Sequence, residues 1–365
     1  HIQCGVARTL TTKKIPRGAA TSFGAGCKRL TYSYEAGYST PSNNLEVAGD
    51  LLVYSAGGAF GEDILYVDLK TETEYLVRDA AHGKQFCNRV TTDGVRIGYS
   101  CGDHLPGPNS LQSLRTFDPT TSTESDLECF LLAPGACAPT WVSMGPLGFA
   151  INIGKNSCAA RDVHLHRYDD TSFTNISNKP GRSHDLSISG NIVVWADWPK
   201  GGYQRIVAYD IKTKTIKALA PGKGHQFLPR IEGSQVVWMD TRNDPTGDRV
   251  AFGNTDIVHH DLNTGKTTVV TTNTATQERP DVHGDWVVWA DWRNNPKPIP
   301  KYSGDHVNAD VYAKNLKTGK EYQVTSFNDM ELYPVISQGK VYFVSRIDKM
   351  LAIFVVDLKQ RLGLP

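Results

Sequence analysis

The stretch Arg279-Pro-Asp-Val-His-Gly-Asp-Trp-Val-Val-Trp-Ala-Asp-Trp-Arg293 holds two strands and the turn between them. The turn falls at His283-Gly284, and the strand after it, 285–290, is apolar on both faces. Such a run suits a strand covered from both sides. Beyond a polar gap, 309–316 reads as a third strand and 321–325 as a fourth. The turn Lys317-Thr318-Gly319 joins them, with Gly319 suited to positive φ. One unit therefore has four strands.

The unit recurs along the whole chain. Its third strand is centred on Tyr66-Val67-Asp68, Thr116-Phe117-Asp118, Arg167-Tyr168-Asp169, Ala208-Tyr209-Asp210, His259-His260-Asp261, Ala313-Lys314-Asn315 and Val355-Val356-Asp357, at spacings of 50, 51, 41, 51, 54 and 42 residues. The turn glycine recurs as Gly49, Gly94, Gly145, Gly190, Gly233, Gly284 and Gly339. Five residues on stands an aromatic in five copies: Tyr54, Tyr99, Trp195, Trp238 and Trp289; the third copy has Ala150, and the last has Phe343 one place early. A period of this size made of strands predicts an all-β fold, a seven-bladed β-propeller of four-stranded antiparallel blades. We expect residues 1–27 to be an N-terminal arm and 28–365 a single propeller domain. The last unit runs out before a fourth strand, while 28–34 alternates like an edge strand. That segment is expected to pair onto the last blade and close the ring.

These units resemble the TolB-like, or PD40, family of propeller repeats. The likeness rests on Val-Val-Trp-Met-Asp-Thr-Arg-Asn at 236–243, followed by Asp-Ile-Val-His-His-Asp-Leu-Asn-Thr-Gly at 256–265, and on their copy at 287–319. It is good over about 184–325 and covers repeats only, with no sign of the α/β domain that precedes the propeller in TolB. The resemblance implies a propeller and leaves the ligand open.

The formal net charge of +1 gives no reason to expect nucleic acid or an anionic membrane surface as partner. No apolar run approaches the ~20 residues that cross a bilayer. The seven cysteines, Cys4, Cys27, Cys87, Cys101, Cys129, Cys137 and Cys158, all fall in the first 158 residues, with no C-x-x-C pair. We read three disulfides and one odd thiol, hence a secreted or periplasmic protein whose numbering begins after a removed leader. Cys87–Cys101 would bridge neighbouring strands, and Cys4–Cys27 would tie down the arm.

Propeller geometry gathers the loops that enter each inner strand, and those between second and third strands, on one face. Counting back from the turn glycines places Gln226 and Gln277 there, with His184, His225, Arg279 and Tyr333 as neighbours. The second set of loops adds Trp198, Arg242, Trp292 and Arg293. Trp195, Trp238 and Trp289 share one repeat position and read as core. Trp198 and Trp292 lie three residues later, with Thr241 at the matching place between them, and read as aromatic surface. Asp197, Asp240 and Asp291 read as hydrogen-bond acceptors for turn backbone. Arg242 and Arg293 are either their partners or ligand contacts. His164-Leu-His166 sets two imidazoles on one strand face, but a pair without a third ligand is weak evidence for a metal. No metal or cofactor is expected, and no phosphate loop or hydrolase motif is present.

Three functions fit. The first is a propeller binding a glycan or a protein on its funnel face through Trp198, Gln226, Arg242, Gln277, Trp292 and Arg293. The second is a lyase on a uronate-containing polysaccharide, since the chain is similar in gross architecture to the propeller-type ulvan and oligogalacturonate lyases. That chemistry needs an arginine to neutralise the uronate carboxylate and a His or Tyr base. Arg279 or Arg293 would serve for the first, and His184, His225 or Tyr333 for the second. The third is a structural surface protein with no specific ligand.

Overall fold

In the computed structural model, the residues described are 7–18, 26–33, 41–58, 61–79, 85–103, 111–131, 141–157, 160–177, 182–244, 254–295, 308–327, 329–347 and 350–364. Three short strands open the chain: β1 (Arg8–Thr9), β2 (Lys13–Lys14) and β3 (Lys28–Arg29). Four-strand units follow. The first is β4 (Pro41–Ala48), β5 (Leu51–Gly58), β6 (Gly61–Asp68) and β7 (Thr73–Arg78); the second is β8 (Gln85–Thr92), β9 (Ile97–Asp103), β10 (Leu111–Asp118) and β11 (Thr123–Leu131). The third is β12 (Val142–Gly145), β13 (Gly148–Ser157), β14 (Ala160–Arg167) and β15 (Thr174–Asn175), and β16 (Arg182–Ser189) meets β14 through one parallel bridge, Arg161 to Arg182. Next come β17 (Ile192–Trp198), β18 (Arg205–Asp210) and β19 (Thr215–Leu219). Then follow β20 (Gln226–Glu232), β21 (Gln235–Asp240), β22 (Asp256–Asp261) and β23 (Thr267–Val269), and after them β24 (Gln277–His283), β25 (Trp286–Asp291), β26 (Asp310–Asn315) and β27 (Glu321–Gln323). The last strands are β28 (Leu332–Ser337), β29 (Lys340–Ile347) and β30 (Met350–Asp357), ahead of a short helix, α1 (Leu358–Leu362). The fold is all-β, and several of its sheets are four-stranded and antiparallel.

The chain divides into two compact units, residues 1–19 with 30–191 and residues 20–29 with 192–365. In the first, β1 adds a fifth strand beside β11 and β2 a fifth beside β7. Arg8 also reaches Glu124, a fully buried carboxylate that Arg78 and the Tyr99 hydroxyl contact too. In the second unit, β3 pairs antiparallel with β30, Lys28 opposite Val355 and Arg29 opposite Phe354. The segment 28–34 was expected to supply this missing fourth strand, and its first two residues do.

The recurring aspartate has a local cause. In β6, β10, β18 and β22 the closing Asp accepts the backbone N–H two residues on: Asp68 from Lys70, Asp118 from Thr120, Asp210 from Lys212 and Asp261 from Asn263. Asn315 does the same for Lys317. A short Asx side chain that mimics a backbone turn is why this residue type repeats at strand ends. In the last copy Asp357 instead accepts from the Gln360 N–H and caps α1. Six of the seven turn glycines have positive φ; Gly145 does not.

Trp195, Trp238 and Trp289 are buried at 2%, 0% and 0% exposure, confirming their place in the core. Trp238 and Trp289 lie in one hydrophobic cluster with Val194, Phe227, Val237, Ile257 and Tyr312. A second cluster in the same unit gathers Phe343, Phe354, Val311 and Cys27. Cys27 is a free thiol that burial pushes up to about 12, so it does not tie down the arm through Cys4. Cys87 and Cys101 do form the expected bridge across β8 and β9. Cys129 is also disulfide-bonded. Cys4, Cys137 and Cys158 lie outside the described residues.

Candidate functional site

The strands β20, β24 and β28 each carry a register shift against their partner: between Phe227 and Arg230, Glu278 and Asp281, and Leu332 and Val335. Inside each shift one non-glycine residue takes the left-handed conformation: Leu228 at φ 50°, Arg279 at 53° and Tyr333 at 55°. In the first unit Arg89 on β8 and Asp185 on β16 have φ of 56° and 52°. A bulge frees one residue from the ladder and re-aims its side chain, and a left-handed non-glycine costs roughly 1–2 kcal/mol. The sequence holds a signal for it in the second unit. Each of these residues precedes a proline: Leu228-Pro229, Arg279-Pro280 and Tyr333-Pro334. Proline has no N–H to give to a ladder, so within sheets it belongs at such breaks, and it restricts the residue before it.

Two of the five candidates for chemistry, Arg279 and Tyr333, stand on these bulges. The Arg279 guanidinium lies 4.6 Å from the centroid of the Tyr333 ring, and both residues are half-buried. Among the described residues, Arg279 has no carboxylate partner. Its backbone N–H donates to the Met239 sulfur at 3.4 Å, which fixes the bulge against β21.

The other two arginines differ sharply. Arg242 Nε donates to Asp240 Oδ1 at 2.8 Å and its Nη2 to Oδ2 at 2.5 Å, while its backbone N–H also donates to Oδ1. Asp240 is fully buried and accepts from Trp238 Nε1 and Gln226 Nε2 as well. Arg293 holds Asp291 through its backbone N–H at 2.9 Å and its Nη2 at 2.6 Å, adds Glu321 at 2.7 Å, and stacks 4.1 Å from the Tyr312 ring centroid. Burial works against the Arg293 charge, but the Asp291 and Glu321 carboxylates outweigh it and raise its pKa. Of the two readings open to Arg242 and Arg293, the structure thus shows the partnership with the aspartates. Both charges are paired within the fold.

Trp292 is a correction. It was read as aromatic surface, yet it is 5% exposed, and its Nε1 donates to Glu278 Oε1 at 2.6 Å. Its indole therefore braces the residue just before Arg279. Gln226 and Gln277 are likewise buried, at 2% and 0%. The Gln226 amide holds Ile206 N–H and Ala220 C=O, and the Gln277 Nε2 donates to Ala275 C=O. Neither amide is presented to solvent. Trp198 is half-buried at the end of β17, with its ring 5.5 Å from that of His225, also half-buried. His184 is half-buried on β16 in the first unit. Among the described residues, no three of His, Cys, Asp and Glu are placed to hold a metal ion.

No protein-family model and no curated protein sequence matches the chain. Solved structures do. An oligogalacturonate lyase from Vibrio parahaemolyticus is similar at a TM-score of 0.60, with 12% identity over 97% of this chain and 98% of that one. An oligogalacturonate lyase in complex with manganese is similar at 0.56, with 14% identity over 98% of both chains. The β-propeller domain of the Trilobed protease from Pyrococcus furiosus follows at 0.53, with 13% identity over 75% of this chain and 83% of that one. At these identities the likeness is one of fold, and it supports the propeller that the repeats imply.

Proposed function

We propose that the protein binds an acidic carbohydrate through Arg279 and Tyr333, and that its seven repeats are the seven blades of one propeller. The observation that carries the binding reading is the contrast among the arginines. Arg242 and Arg293 are neutralised by fully buried aspartates, whereas Arg279 is held half-buried on a strained bulge with no carboxylate partner among the described residues. A partly desolvated cation favours an anionic partner, and a planar guanidinium matches a carboxylate through two parallel hydrogen bonds. The Tyr333 ring under it offers a face for a sugar ring and a hydroxyl for its oxygens. The similar fold of the oligogalacturonate lyases makes a uronate the first ligand to try. The disulfide between Cys87 and Cys101 supports a setting outside the reducing cytosol. Among the described residues no helix is long and apolar enough to cross a membrane.

Titration calorimetry with oligogalacturonate, beside the same oligomer with its carboxylates methyl-esterified, tests this. Binding of the acid form, weakened at least about tenfold by esterification or by Arg279→Ala, is expected for a paired charge. Equal affinity for both forms would refute it.

A lyase is the second reading, favoured by the contact between Arg279 and Tyr333. One group would neutralise the carboxylate and the other take the proton beside it. Ultraviolet absorbance of an unsaturated uronate product, lost in Tyr333→Phe, would establish it; binding without such a product limits the protein to recognition.

A further inference from the structure

We propose that Trp198, Tyr203 and His225 form a second carbohydrate site, one that takes the apolar face of an uncharged sugar ring. The His225 imidazole lies 5.5 Å from the Trp198 ring at 79° and 5.3 Å from the Tyr203 ring at 81°. Three rings thus share one cluster outside the Arg279–Tyr333 contact. The cluster is braced at several points. Trp198 Nε1 donates to the Gly202 carbonyl at 3.0 Å, and the Gly202 N–H closes the turn onto the Pro199 carbonyl at 3.2 Å. Gly201 makes that turn possible with φ +74°. His225 is held from two sides: its backbone N–H donates to Thr241 Oγ1 at 2.7 Å, and the Gln204 backbone N–H donates to its ring Nδ1 at 3.2 Å. An Nδ1 that accepts leaves the neutral ring's proton on Nε2.

Tyr203 is 48% exposed, although its neighbour Gln204 is fully buried. A ring offered to solvent on a braced loop loses little conformational freedom on binding, and aromatic faces are the usual platform for flat apolar surfaces. Two chemistries use such a platform, a sugar's C–H face and a cation. The exposed Lys200 and Lys223, on the two loops that carry Tyr203 and His225, oppose a cation. A neutral sugar is favoured. The proposal shares the carbohydrate reading above but does not depend on Arg279.

Saturation-transfer NMR with neutral β-linked galactan oligosaccharides tests it on the whole protein, with tetramethylammonium as the rival probe. Transfer to sugar C–H protons is expected in the wild type. Tyr203→Ala should weaken affinity about tenfold, the scale of one aromatic stack, while Tyr203→Phe and Arg279→Ala leave it unchanged. No transfer to any neutral oligosaccharide, equal affinity in Tyr203→Ala, or displacement of the sugar by tetramethylammonium would each overturn the site. Loss of uronate binding in Arg279→Ala with galactan binding intact would separate the two sites.

Discussion

At the scale of single residues, Trp292 shows how position in a repeat misleads. It follows Trp289 at the spacing by which Trp198 follows Trp195, so surface was the natural reading. The two indoles nevertheless hold different environments: Trp198 bonds to its own loop at Gly202, Trp292 to Glu278 across its sheet. Spacing fixes which end of a strand a residue occupies; the acceptor that decides its burial lies on another strand. Trp292→Ala is expected to cost about 3–5 kcal/mol, as for a buried aromatic, and Trp292→Phe about 1–3 kcal/mol because Glu278 loses its donor. Chemical denaturation measures both. A change under about 0.5 kcal/mol for the alanine variant, typical of a surface site, would contradict the packing. Arg279 and Tyr333, by contrast, were legible as candidates from counting alone. Their bulge was not, because counting from the turn glycines places a residue along a strand without showing where the ladder breaks.

At the scale of elements, the entry to β28 carries an electrostatic load. Glu331 is fully buried; burial is the main cause that raises its carboxyl to about 9, with Asp310 adding to it. It accepts from Thr325 Oγ1 at 3.0 Å. In the unfolded chain this group titrates near the ordinary carboxylate value, so between about pH 4.5 and 9 the folded state holds a proton that the unfolded state has lost. Glu331 therefore favours folding most below that window and progressively less as pH rises through it. Glu331→Gln keeps a neutral side chain of the same shape. The variant should gain stability over the wild type as pH is raised from about 5 to 8. Thermal melts across that range check it, and a difference between the two proteins that stays constant with pH would count against the buried proton. The strand turns behave differently. Their Asp–backbone bonds are local, which is why the repeat was legible from the aspartates, whereas the load on Glu331 depends on groups brought from β26 and β29.

At the scale of the molecule, the short strands β1, β2 and β3 all serve as edge strands. They cover β11, β7 and β30 in turn, so that three sheets do not present a bare outer edge there. The pairing of 28–29 could be read because the last repeat visibly lacked a strand; β1 and β2 could not, being two residues each with nothing missing to call for them. Removing residues 1–16 should lower the melting temperature clearly, since it strips two edge strands and takes Arg8 from the buried Glu124. Scanning calorimetry of the truncated chain would show it, and an unchanged midpoint would mean the segment is an ornament.

The central claim is that Arg279 receives the acid group of a carbohydrate. A crystal structure of the protein grown with oligogalacturonate tests this most directly. The account predicts a uronate whose carboxylate hydrogen-bonds to the Arg279 guanidinium, with the sugar ring against Tyr333. A bound oligogalacturonate whose carboxylates all lie away from Arg279, on Arg242, Arg293 or elsewhere, would contradict it.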